Sequence, residues 1–319
     1  MIEPHIVIVA FPSAQILDVT GPLEVFSTAS RMLPEPRYRT EVVSAHGGPV
    51  LSTSGLEFGS TPIADVRGEI DTLVVSGGRD MDAAIADEHL VHHVRLLGER
   101  ARRITSVCSG AFLLAATGLL DGRRATTHWA ECAMLARDFP RVAVETDAIY
   151  VRDGNLWTSA GVTAGIDLAL ALVSEDRGRR AAAAVARQLV VYLRRSGGQR
   201  QFSAALAAQS EEHEPVREVL EWLTANLAAD LSIPALAMRA NLSERQFSRV
   251  FKAAVGVTPA EQVEALRIDA ACGLLETTSR TTEQIAAACG FGVPETMHRA
   301  FRRRLRTTPG QHRQHFGSG

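Results

Sequence analysis

No two cysteines stand close together. Cys108, Cys132, Cys272 and Cys289 are scattered along the chain, so neither a CxxC metal or redox motif nor a disulfide framework is indicated. No metal and no cofactor is therefore expected. No apolar run is long enough to span a membrane. No basic segment followed by a long apolar stretch opens the chain, so no secretion signal is expected and a reducing cytoplasm is the expected compartment. A general excess of positive charge is also missing: the formal net charge is -2. Lysine is nearly absent, Lys252 being the single one among 34 basic residues. Abundant arginine and alanine in its place fit a GC-rich bacterial genome.

What remains is the composition of a globular protein, 46% hydrophobic and 22% charged over 319 residues. That length exceeds one typical core and predicts two domains. The near-neutral total hides an uneven distribution. From Thr296 onward there are six arginines and no acid, a local field suited to phosphates.

The first half alternates strand-like and helix-like runs. His5–Phe11, Thr40–Ser44, Thr72–Ser76 and Arg103–Cys108 read as strands. Gly21–Leu33, Gly110–Ala116, Thr163–Val173 and Arg179–Arg195 read as helices, and Tyr150–Ser159 as a hairpin around Asp153-Gly154. Such alternation predicts an α/β domain with a mostly parallel sheet covered by helices on both faces. The polar stretch 196–214 reads as a linker. From residue 215 to 319 everything reads as helix, so the predicted domains are 1–195 and 215–319.

The second half repeats itself. Arg249, Phe251 and Thr258-Pro259 recur fifty residues on as Arg299, Phe301 and Thr308-Pro309, and Leu236-Ala237 and Leu242 recur as Ile285-Ala286 and Phe291. Each unit reads as helix, tight turn, helix. Ser232 caps a helix to Arg239, Ala240-Asn-Leu242 turns, and Ser243-Glu-Arg-Gln246 has capping-box spacing for a helix to about Val255. Thr282–Ala288, Cys289-Gly-Phe291 and Pro294–Leu305 repeat the plan. Between them Thr258-Pro-Ala-Glu261 opens a helix to about Glu276. About twenty helical residues span about 30 Å, close to the roughly 34 Å of one turn of B-DNA. Two recognition helices would thus enter successive major grooves. The exposed residues Arg245, Ser248, Arg249 and Lys252 in the first helix, and Glu295, Thr296, Arg299 and Arg302 in the second, are the candidate DNA contacts, with arginine suited to guanine and to phosphate. A plain helical bundle with solvated arginines is the competing reading, disfavoured by the doubled motif. Residues 216–316, including the closing Thr308–Phe316 segment, resemble the AraC/XylS DNA-binding domain. That resemblance implies double-stranded DNA as partner and places base contacts on the exposed faces of the two recognition helices.

In the first half, Ser106-Val-Cys108-Ser-Gly110 joins a strand to a helix. A cysteine on such a turn is expected to have its thiolate stabilised by the helix dipole and free amides. Small neighbours permit the tight geometry of a nucleophile elbow. Ser76-Gly77-Gly78 ends another strand and is expected to offer amides to an oxyanion or carboxylate. Asp18 and Glu24 bracket the first strand–helix turn, and His128 in Thr126-Thr-His-Trp129 is a possible base. Each has a plainer reading: core cysteine, surface or capping acid, satisfied histidine. Trp129 and Trp157 read as core, or as one wall of a cation pocket.

Leu17-Asp-Val-Thr-Gly-Pro-Leu-Glu-Val-Phe26, Ser76-Gly-Gly78, Cys108-Ser-Gly-Ala-Phe112 and Ala125-Thr-Thr-His-Trp129 resemble the DJ-1/PfpI superfamily, flavodoxin-like relatives of glutamine amidotransferases, and most closely its isocyanide-hydratase-like branch. The resemblance implies a reactive Cys108 partnered by Asp18 or Glu24, with His128 nearby. Ser109 follows the cysteine where peptidases of the superfamily carry histidine and the hydratase branch carries threonine. Joined to an AraC-type domain, this half resembles a regulator class that senses small, often nitrogen-containing metabolites and dimerises. The expected function is a non-enzymatic, ligand-controlled transcription regulator, a homodimer with RNA polymerase as a possible further partner. A cysteine-dependent hydratase or glyoxalase-like enzyme, or a thiol redox sensor, is the alternative.

Overall fold

The computed structural model describes residues 3–191, 214–305 and 307–316, in two compact units, Met1–Arg195 and Ser196–Gly319. The expected linker 196–214 lies outside the described residues except for Glu214, which opens a helix.

The first unit is built on an eight-stranded sheet. β1 (His5–Val9) runs parallel to β2 (Arg39–Ser44) on one side and to the strand Ile70–Val75 on the other. Two short strands, β3 (Gly48–Leu51) and β4 (Glu57–Pro62), extend the β2 side, and Ile70–Val75 is therefore β5. On its far side follow β6 (Ala101–Val107), then, after two strands of a separate small sheet, β7 (Arg124–Ala125) and β8 (Ala143–Val144), the hairpin β9 (Tyr150–Asp153) and β10 (Leu156–Ser159). The order is β3-β4-β2-β1-β5-β6-β10-β9, with the two edge strands antiparallel and the rest parallel.

Every residue of β1 is buried, as a strand covered on both faces requires. Alternation divides its side chains between two cores. Ile6 and Ile8 face α1 (Ile16–Met32), the helix Ala164–Arg177 and the helix Arg179–Gln188. Val7 and Val9 face α2 (Met81–Ala86), α3 (Glu88–Arg100) and α4 (Gly110–Ala116), with α5 (Cys132–Asp138) beyond; the two helices of the first layer are then α6 and α7. At the amino ends of β5 and β6 the buried Arg103 is held by Asp71 (2.9 Å) and Asp176 (2.8 Å). This end is closed by an ion-pair network.

Three features differ from the sequence reading, beginning with α7, which ends at Gln188 and not at Arg195. α1 begins at Ile16, not Gly21, because Gly21 and Pro22 are inside the helix, where a Cβ on Gly21 would come within 3.0 Å of Ile166 on α6. Close packing of α1 on α6 overrides the helix-breaking look of Gly-Pro. β3 and β4 were not anticipated: they are short, largely exposed strands at one side of the sheet, without apolar alternation.

The second unit is all helix: α8 (Glu214–Ala225), α9 (Ile233–Arg239), α10 (Glu244–Val255), α11 (Pro259–Thr277), α12 (Thr282–Ala288), α13 (Pro294–Leu305) and α14 (Pro309–Phe316). Both helix-turn-helix pairs, α9–α10 and α12–α13, form as expected. Capping boxes open α10, α11 and α12. Phe247 and Phe251 anchor one core, and Met297 and Phe301 the other. α11 serves both, giving Val263 to the first and Ile268, Ala271 and Leu275 to the second.

Candidate functional site

At the carboxyl ends of the first unit's parallel strands, where open α/β sheets place ligands, three connections converge. Cys108 occupies the turn from β6 to α4 with φ +56°, a left-handed conformation uncommon for a residue with a Cβ. Its amide donates to the carbonyls of Ser159 and Ala160, both at 3.1 Å, so the end of β10 holds the elbow. The neighbouring glycines are sterically required. A Cβ on Gly77 would lie 2.7 Å from the Ser109 nitrogen and 2.8 Å from Asp18 Oδ2, and one on Gly110 would strike the Val75 and Ser76 carbonyls.

The amides of Gly77 and Gly78 are already committed. Gly77 donates to Asp18 Oδ2 at 3.1 Å. Gly78 donates to Ser109 Oγ at 3.0 Å, and that hydroxyl donates back to the Gly78 carbonyl at 3.0 Å. The expectation that this loop offers free donors to an oxyanion is therefore corrected: Asp18 and Ser109 have taken them. Ser109 is a staple between the two loops.

Asp18 is fully buried, and its Oδ1 has no hydrogen-bond partner among the described residues. The Cys108 thiol and the Val162 amide lie against the carboxyl, and burial pushes it up to about 7. Burial first, and then the Asp18 charge, push the Cys108 thiol up to about 12, with the Ser109 and Val162 amides pulling the other way. The expected stabilisation of thiolate by a helix N-terminus is overturned here. Desolvation and an adjacent acid outweigh the dipole of the seven-residue α4.

Glu24 also departs from expectation. It sits exposed on α1 and accepts from Thr28 Oγ1 (3.0 Å) and Arg31 (2.9 Å), a surface pair rather than a partner for the thiol. Another acid acts on the site through its charge. Glu131, just before α5, has a buried Oε2 without a partner among the described residues, is pushed up by burial, and its charge is felt by both Asp18 and Cys108. Sequence reasoning missed it, although it stands two residues beyond Trp129. Val162 was missed too. Its φ of +51° is strained for a β-branched residue, and this backbone aims its amide at the thiol and the carboxyl together. His128 packs over Gly161, which has no room for a side chain, and its Nδ1 accepts from the Ala130 amide at 3.4 Å. Burial lowers its pKa. Trp129 is 50% exposed beside the His128 ring, centroids 5.5 Å apart, whereas Trp157 is core.

In the second unit the two turns share one backbone device. Asn241 and Gly290, at equivalent places in the repeat, have φ of +53° and +77°. Arg245, Arg249 and Lys252 on α10, and Glu295, Arg299 and Arg302 on α13, are exposed, with Ser248 and Thr296 half-buried beside them. Arg299 donates to Thr296 Oγ1 at 3.4 Å. The neighbouring arginines are engaged: Arg303 pairs with Glu264, and Arg304 donates to the Glu261 carbonyl at 3.0 Å, tying α13 to α11. Arg267 on α11 donates to the Leu227 carbonyl at 3.0 Å. The bare α-carbon of Gly290 faces the same carbonyl, so the two helix-turn-helix units meet at one joint. The 19 residues of α11 correspond to about 28 Å of helix.

Residues 4–175 match the model of the DJ-1/PfpI family. The chain belongs to that family. Residues 236–315 match a helix-turn-helix domain. Over 302 residues the chain is 30% identical to the HTH-type transcriptional regulator CdhR of Pseudomonas aeruginosa, covering 95% of this chain and 89% of that one. It is 39% identical over 166 residues to the isonitrile hydratase of Pseudomonas putida, 52% of this chain and 68% of that one. Among solved structures, a ThiJ/PfpI family protein from Pseudomonas syringae superposes with a TM-score of 0.56 at 28% identity, covering 81% of this chain and 92% of that one. The chain is thus an HTH-type transcriptional regulator in which a DJ-1/PfpI domain precedes an AraC-type DNA-binding domain. No helix among the described residues is long and apolar enough to cross a membrane.

Within this DJ-1/PfpI domain the elbow has the shape of a nucleophile site. Burial and the neighbouring Asp18 push the thiol's pKa up, the Gly77 and Gly78 amides are satisfied, and the buried groups near the elbow left without partners among the described residues are Asp18 Oδ1, Glu131 Oε2 and the Ser106 hydroxyl.

Proposed function

We propose that this regulator binds a small nitrogen-bearing effector between Asp18, Glu131 and Cys108, releases it unchanged, and so shifts the occupancy of DNA by its two helix-turn-helix units. The observation that carries the effector class is the pair of buried carboxyl oxygens, Asp18 Oδ1 and Glu131 Oε2, without hydrogen-bond partners. A buried acceptor left unmade costs about 1–3 kcal/mol, and a ligand carrying N–H donors or a positive charge recovers it. Half-exposed Trp129 supplies a face on which such a cation is attracted. A thiol held up at about 12 is a poor nucleophile at neutral pH, which supports binding over turnover. Control requires that the effector bind the DNA-competent and incompetent states unequally. The same reading has Arg245, Ser248, Arg249, Glu295, Thr296 and Arg299 facing base edges, and Lys252 and Arg302 facing phosphates. It takes the chain as a cytoplasmic homodimer, with the sensor over 1–195, a linker over 196–214 and RNA polymerase as a further partner.

Likeness to an isonitrile hydratase keeps the enzymatic reading in view, and one screen separates the two. Thermal shifts are measured for amines, amino acids, aldehydes and isocyanides on wild type and Cys108→Ser, and each hit is checked for chemical change. A nitrogen compound that stabilises both proteins and is recovered intact supports the sensor. A compound consumed by wild type alone refutes the non-catalytic reading.

A further inference from the structure

The fifty-residue repeat lays the two recognition helices on each other. Phe247, Arg249, Phe251 and Lys252 on α10 correspond to Met297, Arg299, Phe301 and Arg302 on α13. The structure keeps that correspondence. Phe247 and Phe251 are buried like Met297 and Phe301, and Arg249 and Lys252 are exposed like Arg299 and Arg302. In the same register His298 falls on Ser248, and both are half-buried. We propose that His298 is a specificity-determining residue of α13, its imidazole N–H donating to the N7 of a purine in the major groove. This rests on the docking of α13 proposed above.

At about 100° per helical residue, Glu295, Arg299 and Arg302 run along the middle of the exposed face of α13. Thr296 lies on one flank of that face and His298 on the other. The Thr296 flank is occupied: its hydroxyl accepts from Arg299 at 3.4 Å, and Arg303, on the same side, pairs with Glu264 of α11. On α10 the equivalent flank begins with Gln246, whose side-chain oxygen accepts from the Ser243 hydroxyl at 2.9 Å in the capping box. The opposite flank, carrying Ser248 on one helix and His298 on the other, is free of such commitments. No hydrogen bond, ion pair or ring contact among the described residues engages His298. A neutral imidazole carries one N–H donor and one acceptor nitrogen. In the major groove N7 is an acceptor on guanine and adenine alike, and pyrimidines have no counterpart. A single N–H donor therefore selects purine over pyrimidine at one position, whereas the forked guanidinium of Arg299 suits the O6 and N7 of guanine together. The shorter hydroxyl of Ser248, donor and acceptor at once, carries no such preference. The two helices would thus read their half-sites unequally, which gives the operator a direction.

The test selects operators from a random duplex pool with the full-length protein and compares wild type, His298→Ala, Arg249→Ala and Arg299→Ala. His298→Ala is expected to lose a purine preference at one position and to keep the others. Placing 7-deazaguanine or 7-deazaadenine at that position removes the N7 acceptor alone. It should weaken wild type about three- to tenfold, the worth of one hydrogen bond, and leave the affinity of His298→Ala unchanged. If circular dichroism shows that His298→Ala misfolds, His298→Ser replaces it, since α10 already carries serine at the equivalent place. With Arg249→Ala and Arg299→Ala relaxing base preference, three results would overturn the role of His298 alone: every preference intact in His298→Ala, an even weakening on all sequences, or wild type indifferent to the deazapurine. Unchanged affinity and preference in the two arginine variants would instead overturn the docking reading, and this inference with it.

Discussion

Asp18→Asn is the substitution that most directly tests the electrostatics of the elbow. In wild type the carboxyl is fully buried and pushed up to about 7, while in the unfolded chain it titrates near its ordinary value of about 3.9. A folded-state pKa above the unfolded one means that the favourable contribution is complete below the unfolded pKa. It is lost as pH rises through the window from about 4 to about 7. Three units at 1.36 kcal/mol each bound the loss at about 4 kcal/mol. The asparagine carbonyl can still accept from Gly77, and its Nδ2 falls where Oδ1 now has no partner. An unpaired buried donor costs about 1–3 kcal/mol. The net expectation is a variant about 1–3 kcal/mol more stable than wild type at pH 8. The gain should vanish or reverse near pH 4, where the folded wild-type carboxyl is protonated and the unfolded one is about half so. Pulse hydrogen exchange of β1 and β6 peptides along urea titrations, from pH 4 to 8.5, reads the first unit alone. A stability difference of the same size at every pH would refute the reasoning, because it would show that Asp18 does not carry its charge into a desolvated site.

The same change removes the charge beside the thiol. Cys108 in Asp18→Asn should alkylate with iodoacetamide faster than wild type at pH 8, by about tenfold for each unit its pKa falls; an unchanged rate would place the burden on burial alone. Ser109→Ala leaves the Gly78 amide without its acceptor and should cost about 1–3 kcal/mol in the same exchange measurement. On operators selected by the full-length protein from a random duplex pool, Arg249→Ala and Arg299→Ala should each cost about 1–3 kcal/mol and relax base preference locally, whereas Lys252→Ala should weaken all sequences evenly and lower the salt slope by about 1. A double mutant of Arg249 and Arg299 with undiminished affinity would exclude the assigned docking mode. Gly290→Ala introduces a side chain at φ +77° against the Leu227 carbonyl. It should abolish DNA binding while leaving the first unit's exchange unchanged.

Much of the fold was legible in local pattern. The continuous apolar run of β1, the Asp153-Gly154 turn, the capping boxes and the fifty-residue repeat each carry their structural instruction within a few residues. The elements that escaped lack such a signal. β3 and β4 lie at one side of the sheet and are defined by pairing, not by apolar alternation, and the start of α1 is set by packing on α6 through Gly21. The site divides the same way. Cys108, Asp18 and the Gly77-Gly78 loop could be found because small residues beside a strand end mark a tight turn. Glu131 looked like any helix-opening acid, and Val162 like any apolar residue.

The sequence by itself determined the two-part plan, the doubled helix-turn-helix with its exposed arginines, and the cysteine on its strand–helix elbow, because these rest on period, caps and steric permission that neighbouring residues enforce. Only the tertiary structure decided what the elbow is chemically. Which acid faces the thiol, which amides are already consumed, and whether the cysteine is held as thiol or thiolate depend on groups distant in the chain and on exclusion of water. Packing places Glu24 at the surface and buries Glu131, and desolvation, a property of the assembled site, pushes the Cys108 thiol up where a helix N-terminus was expected to lower it.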